Sequence, residues 1–220
     1  CNHRRKFTII IIIQFVVMRK LLLLGILFFF TLNALQAQSI SELNTLRRIN
    51  PDNPNNAVWN NLSNTSKYIS VGVPVAYFAA GLIHDNKAFK QKAAYTAAAI
   101  LLNTASTSLL KNVVKRERPY NTHTGIFPDK IKSDYAFPSG HTSSAFATAT
   151  SLALATKKWY VAVPVFAWSA GVGYSRIYVG QHYPSDVIMG ALVGTGSAFI
   201  CHWASKQLSK RKKSKMQQIK

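Results

Sequence analysis

Long apolar stretches alternate along this chain with short polar, basic ones. A polar region from Ser39 to Lys67 is punctuated by Asn50-Pro51 and Asn53-Pro54. It is followed by Tyr68 to Ile83, Ala93 to Leu110, Ser143 to Thr156, Trp159 to Tyr174 and Val187 to Ala204, all without Asp, Glu, Lys or Arg. Each is long enough for a helix, and at about 1.5 Å per residue each spans on the order of 21–27 Å. That is a little short of a bilayer core of about 30 Å, so all five are membrane-span candidates, with buried core helices as the alternative. Their Ala, Gly, Ser and Thr content suits close helix packing in lipid, and would also suit a soluble bundle. Ile40 to Ile49 predicts one further short helix.

Charge placement favours the membrane. Met18 opens a better start than Cys1: Arg19-Lys20 is a basic region, Leu21 to Phe30 an apolar one, and Leu35-Gln36-Ala37 ends in a small residue. Residues 1–37 therefore read as a signal-peptide region with cleavage after Ala37, an uncleaved anchor being the alternative. Either reading places Gln38 onward outside the cytoplasm. The segments then expected inside carry Lys87, Lys90 and Lys92, next Lys157-Lys158, and last Lys206, Lys210, Arg211, Lys212, Lys213 and Lys215, with Asp85 their only acid. This is the positive-inside pattern. The expected organisation is a polar segment over 38–67, a helical membrane domain over 68–204 and a basic cytoplasmic tail over 205–220.

Composition narrows the partners. The 27 Lys and Arg against seven acids give a formal charge of +20, which suggests an anionic partner. A hydrophobic fraction of 48% excludes intrinsic disorder. Cys1 and Cys201 are too few for a disulfide framework or a Cys-rich zinc site. Beside five apolar spans, the basic tail reads as a topology anchor, and no nucleic acid is expected.

Two outer segments hold the candidate chemistry. In the first, Lys111 and Arg118 are about two helical turns apart, hence on one face, and Pro119 places a helix end near Arg118. Alone, these cations could simply complement a helix dipole. Next comes Pro138-Ser139-Gly140-His141, then Thr142-Ser143-Ser144 and an apolar helix. A helix start offers free N–H groups to an anion, and Gly140 permits close approach. Alone, it could be a capped turn that holds a His. The second segment has Ser175-Arg176, His182 and Asp186, with Pro184 suited to the first helical position. Asp186 can reach back toward His182, and a carboxylate on one imidazole nitrogen presents the other as a nucleophile. An acid favouring a helix start would explain Asp186 but not the His and Arg beside it.

In order, Lys-x6-Arg-Pro, Pro-Ser-Gly-His and Ser-Arg-x5-His-x3-Asp resemble the type 2 phosphatidic acid phosphatase superfamily, which includes the vanadium haloperoxidases. The motifs cover residues 111–186, and the helix alternation extends the likeness to about 68–204. The resemblance implies an all-α bundle of about five transmembrane helices and a metal-free phosphatase with no cofactor. His182 would attack phosphorus and form a phosphohistidine. Asp186 would orient it, and His141 would protonate the departing oxygen. Lys111, Arg118 and Arg176 would hold the phosphoryl oxygens, with Ser139 and the Gly140 N–H adding hydrogen bonds. Asp186 is the only acid at a motif position, so no acid cluster is expected to hold Mg²⁺ or Ca²⁺. The implied partners are the membrane and a lipid phosphate: phosphatidic acid, phosphatidylglycerophosphate, undecaprenyl pyrophosphate or lipid A. The expected location is a bacterial-type inner membrane, with the site facing the periplasm.

Competing readings are a vanadate-loaded haloperoxidase, a lipid phosphotransferase, and a non-enzymatic protein that binds anionic lipid. Specificity is expected in Asn121 to Tyr135. Lys115, Arg116, Lys130 and Lys132 crowd that outer region and could draw in an anionic headgroup. His84 and His202 read as interfacial, and His123 as a solvated loop residue.

Overall fold

Two asparagines set the first long helices. Asn56 and Asn86 each turn their side-chain oxygen onto two backbone N–H groups of the following turn, at 2.9 and 3.4 Å, which satisfies donors that a helix start leaves orphaned. The computed structural model describes residues 40–218, so the expected signal-peptide region lies outside the described residues. The helices are α1 (Ile40–Ile49), α2 (Ala57–Ile83), α3 (Lys87–Val114), the single turn α4 (Pro119–Thr122), α5 (Gly140–Thr156), α6 (Trp159–Tyr178) and α7 (Pro184–Gln218). The described residues contain no strand. The fold is an all-α bundle.

Each of the five apolar stretches lies inside one helix: α2, α3, α5, α6 or α7. Three of these, α2, α3 and α7, are long and apolar enough to cross a membrane. Their outer faces leave Val71, Val75, Phe78, Leu101, Leu109, Leu192, Phe199 and Ile200 exposed. An exterior this apolar belongs in lipid, and the protein is an integral membrane protein.

The interior is the reverse. Helix α5 packs against α2, α3, α6 and α7 and buries Thr142, Ser143, Ala145, Ala147, Thr148, Ala149, Thr150 and Ser151. Small side chains let four helices approach it. Several of its hydroxyls and carbonyls are bonded to its neighbours. Thr148 donates to Ser70 of α2 at 2.9 Å, Ser169 of α6 donates to the Ala145 carbonyl at 3.0 Å, and Tyr95 of α3 to the Ser151 carbonyl at 3.1 Å. Closest of all is α7: a Cβ on Gly194 would lie 2.1 Å from the Ser143 carbonyl oxygen. Only glycine permits that approach, which fixes the start of α5 against α7.

Among the boundaries that differ from expectation, the end of α3 bears most on the site. Helix α3 stops at Val114, not near Arg118, because Lys115 adopts a left-handed conformation with φ 50°. The chain then runs past Pro119 with Arg116 and Arg118 buried and Lys115 and Glu117 exposed. That two-residue alternation is the period of extended backbone. It sends both arginines inward, which a continued helix would not do.

Candidate active site

The residues singled out in the sequence converge at one end of the bundle. Lys111 comes from the last turn of α3 and Arg118 from the extended run after it. His141 is on the first turn of α5, and His182 on the turn between α6 and α7. That turn needs Gly180, whose φ is 66° and whose added Cβ would sit 2.4 Å from the Phe127 carbonyl oxygen. Asn50, just past α1, binds the region together: its amide donates to the carbonyls of Phe127 and Tyr178, both at 2.8 Å.

A cavity of about 250 Å³ is lined by Lys111, Arg118, Gly140, His141 and His182, with Ser66, Lys67, Lys132, Asp134 and Ser144 completing the wall. Both histidines thus face one space rimmed by cations. The buried His182 places Nε2 at 3.5 Å from Arg118 Nη1 and Nδ1 at 3.6 Å from Asp186 Oδ2. Burial, then the charges of Arg118, Arg176 and Lys111, hold its imidazole well below the usual range. It is therefore neutral near pH 7, with a lone pair available.

Asp186 stands behind His182 but beyond hydrogen-bond distance of it. Its Oδ1 accepts from Arg116 Nη1 at 2.7 Å and its Oδ2 from the Tyr183 N–H at 2.9 Å. Arg116 also reaches Glu42 of α1 at 3.1 Å and lies over the Tyr183 ring, 3.9 Å from its centroid. The Asp186 carbonyl in turn accepts from the Ser139 N–H at 3.0 Å. Ser139 is fully buried, its hydroxyl paired with Thr142 at 2.9 Å, so it joins the starts of α5 and α7 behind the cavity wall.

Arg176 is also buried. Its Nη1 donates to Ser63 at 2.8 Å, while Nε and Nη2 have no partner. Two unused guanidinium donors away from water cost free energy unless an anion meets them. Asp134 occupies the other cations. Its oxygens lie 2.6 Å from Arg118 Nη2 and 3.1 Å from Lys111 Nζ. Burial raises this carboxyl, but the Arg118 hydrogen bond and the Lys111 charge outweigh it and hold the group at about 2. Lys111 donates as well to the Tyr135 carbonyl.

The sequence profile of the PAP2 superfamily matches residues 92–210. This chain belongs to the PAP2 superfamily. It is 27% identical over 113 residues to a lipid A 4'-phosphatase of Bacteroides thetaiotaomicron, covering 49% of this chain and 50% of that protein. It is 36% identical over 91 residues to an undecaprenyl-diphosphatase of Sulfolobus acidocaldarius, covering 41% and 44%. The chain spans about half the length of these relatives. The crystal structure of a transmembrane PAP2-type phosphatidylglycerolphosphate phosphatase from Bacillus subtilis shares the fold, with a TM-score of 0.65 at 21% identity, over 83% of this chain and 94% of that one.

Several residues of this PAP2 site escaped sequence reasoning. Arg116 reads as one of the outer-loop cations, yet its guanidinium holds the Asp186 carboxylate. The signal was its spacing of two from Arg118 ahead of a proline. Gln181 gives Arg118 both its carbonyl, at 2.8 Å, and its side-chain oxygen, at 2.9 Å. It sits beside His182, but no local pattern marks it. Glu42 and Asp134 are two of only seven acids in the chain, and scarcity was the one available hint.

Proposed function

We propose that this chain hydrolyses a phosphomonoester or pyrophosphate of a membrane lipid through a phosphohistidine, with no bound metal taking part. The observation that carries this reading is the single cavity shared by His141 and His182 among Lys111, Arg118 and Lys132, with the unpartnered donors of Arg176 close enough for its charge to act on His182. Phosphoryl transfer asks mainly for positioning and charge stabilisation, and a neutral imidazole amid fixed cations supplies both.

In the first step His182 Nε2 forms a bond to phosphorus as the ester P–O bond breaks. Burial, then the charges of Arg176 and Lys132, keep His141 neutral before substrate binds, so its proton must arrive with the anionic substrate. His141 then passes that proton to the leaving oxygen, a contribution of roughly 10²–10⁴ in rate. Asp186, charged and held by Arg116, stabilises the positive charge that His182 acquires. In the second step water attacks phosphorus, His141 takes the proton, and phosphate leaves with His182 restored. Lys111, Arg118 and Arg176 hold the phosphoryl oxygens, and the Gly140 N–H adds a donor at the start of α5. Ser139 supports them by locking α5 to α7.

The lipid assignment rests on place. A cationic cavity at the ends of helices with lipid-facing sides meets a headgroup while the acyl chains stay in the bilayer. The relatives named for lipid A and for undecaprenyl diphosphate make those the first substrates to try. The basic segments at the other end of α2, α3, α5 and α7 support a periplasmic orientation.

The deciding experiment incubates the purified full chain with phosphatidic acid, phosphatidylglycerophosphate, undecaprenyl pyrophosphate and lipid A, and measures released phosphate with and without EDTA. Release from at least one lipid is expected, unchanged by the chelator, and His182→Ala should lower it by roughly 10³-fold or more. Undiminished release by His182→Ala would remove the nucleophile, and loss of activity in EDTA would remove the metal-free mechanism.

A further inference from the structure

Three helices carry this site at one end and a second cationic cavity at the other. Along α3, Lys92 and Lys111 are separated by about 28 Å of helix rise. His141 begins α5, and Leu154 and Ala155 end it; Asp186 begins α7, and His202 to Lys210 lie far along it. The second cavity, of about 520 Å³, is bounded by Lys92, Lys157, Lys206, Lys210, Tyr95 and His202. Among the described residues none of these four lysines comes within ion-pair distance of a carboxylate. The nearest acid in sequence, Asp85, is taken by Lys90 at 2.8 Å. His202 packs edge-on against Tyr95, with ring centroids 5.2 Å apart, and its Nδ1 is buried without a hydrogen-bond partner.

An apolar groove adjoins this cavity. It is about 380 Å³, runs between α3 and α7 past Ala94, Ala98, Cys201, Ala204 and Leu208, and shares Gln91, Tyr95, Ser205 and Ser209 with the cationic space. Gln91 donates to Ser209 at 3.4 Å where the two meet. One end of the combined site is thus cationic and polar, the other apolar and open along the lipid-facing side of the bundle.

We propose that this end of the bundle binds an anionic glycerophospholipid, with the phosphodiester among Lys157, Lys206 and Lys210 and an acyl chain in the groove between α3 and α7. Clustered lysines at a membrane surface each add on the order of 1 kcal/mol of attraction for anionic lipid. A free phosphate would use the lysines alone; the adjoining groove is what selects a lipid. The site is separate from the catalytic cavity and does not depend on hydrolysis.

The test follows thermal unfolding of the detergent-solubilised full chain while dioleoylphosphatidylglycerol, dioleoylphosphatidylcholine or glycerol 3-phosphate is added. Phosphatidylglycerol should raise the midpoint by about 4 °C, the other two by less than a quarter of that. The triple variant Lys157→Gln, Lys206→Gln, Lys210→Gln should lose the rise. Arg118→Gln, at the other end, should keep it. Circular dichroism and a single gel-filtration peak verify that each variant is folded, and Lys206→Gln alone, expected to halve the rise, serves if the triple variant is not. A rise retained in the folded variants, or lost in Arg118→Gln, overturns the site. An equal rise with phosphatidylcholine overturns the charge recognition, and an equal rise with glycerol 3-phosphate overturns the lipid.

Discussion

The two ends of this bundle use the same cations differently. At the site end, three cations are held by fixed partners: Arg116 by Asp186 and Glu42, Arg118 by Asp134 and Gln181, Lys111 by Asp134 and a backbone carbonyl, while the buried Arg176 keeps Nε and Nη2 open for an anion. At the opposite end, Lys92, Lys157, Lys206 and Lys210 share a cavity and none reaches a carboxylate among the described residues. The difference follows from burial. Arg116 and Arg118 are nearly inaccessible, and a charge out of water must have partners at fixed positions. Lys206 and Lys210 are exposed, so water solvates them and they act as a diffuse positive field. One end holds its charges in fixed pairs, the other leaves them to water.

The largest effect should come from breaking the matched end. Arg116→Ala would leave Asp186 buried and without its counter-ion, a change that typically costs roughly 3–5 kcal/mol. Unfolding in mixed micelles should show a loss of that order, with phosphate release falling because Asp186 no longer supports His182. Lys206→Ala at the other end should stay within about 0.5 kcal/mol. Comparable costs for the two would mean that pairing does not distinguish the ends.

How much of this was legible beforehand depends on the range of the contact. The five apolar stretches became five helices because length and hydrophobicity are local properties. His141, His182 and Lys111 stood at helix ends for local reasons too, such as Pro184 opening α7, whereas Arg118 lies on the extended run past α3. The start of α2 at Ala57 was also local, in the Asn56 cap, but the polar composition before Tyr68 obscured it. The partner of Asp186 was not local. Sequence spacing paired it with His182, whereas Arg116 arrives from an extended run set by the left-handed Lys115. Nor could composition show that α5 sits inside the bundle, since Ala, Ser and Thr suit both a lipid-facing and a buried helix. That distinction required the hydroxyl bonds to Ser70, Tyr95 and Ser169.

A smaller effect should sharpen the catalytic end by pH. Burial, then the charges of Arg176 and Arg118, lower the Lys132 ammonium to about 8. With its pKa depressed from 10.5, Lys132 is charged below about pH 8 and neutral above it, so one cation leaves the cavity rim as pH rises. The KM for a lipid phosphate should therefore climb several-fold between pH 7 and 9, by roughly 1 kcal/mol of binding. Lys132→Arg, which stays charged, should flatten the rise. The same climb in Lys132→Arg would assign the titration elsewhere.

The smallest effect tests the exception at the matched end. Asp134 is about half exposed at its side chain, unlike the other acids there, yet it holds both Lys111 and Arg118. It sits on the cations that a phosphoryl group would use, and its own carboxylate, held near 2, stays charged at every working pH. Substrate must either displace it or bind beside a negative charge. Asp134→Asn keeps an oxygen for Arg118 and removes the charge, so it should lower KM and tighten inhibition by inorganic phosphate about 2- to 3-fold, or roughly 0.4–0.7 kcal/mol, with kcat little changed. If Asp134 instead served to aim Arg118 at the transition state, the variant would lose kcat and gain nothing in KM. The split between the two constants decides whether this carboxylate competes with the substrate or positions the residue that binds it.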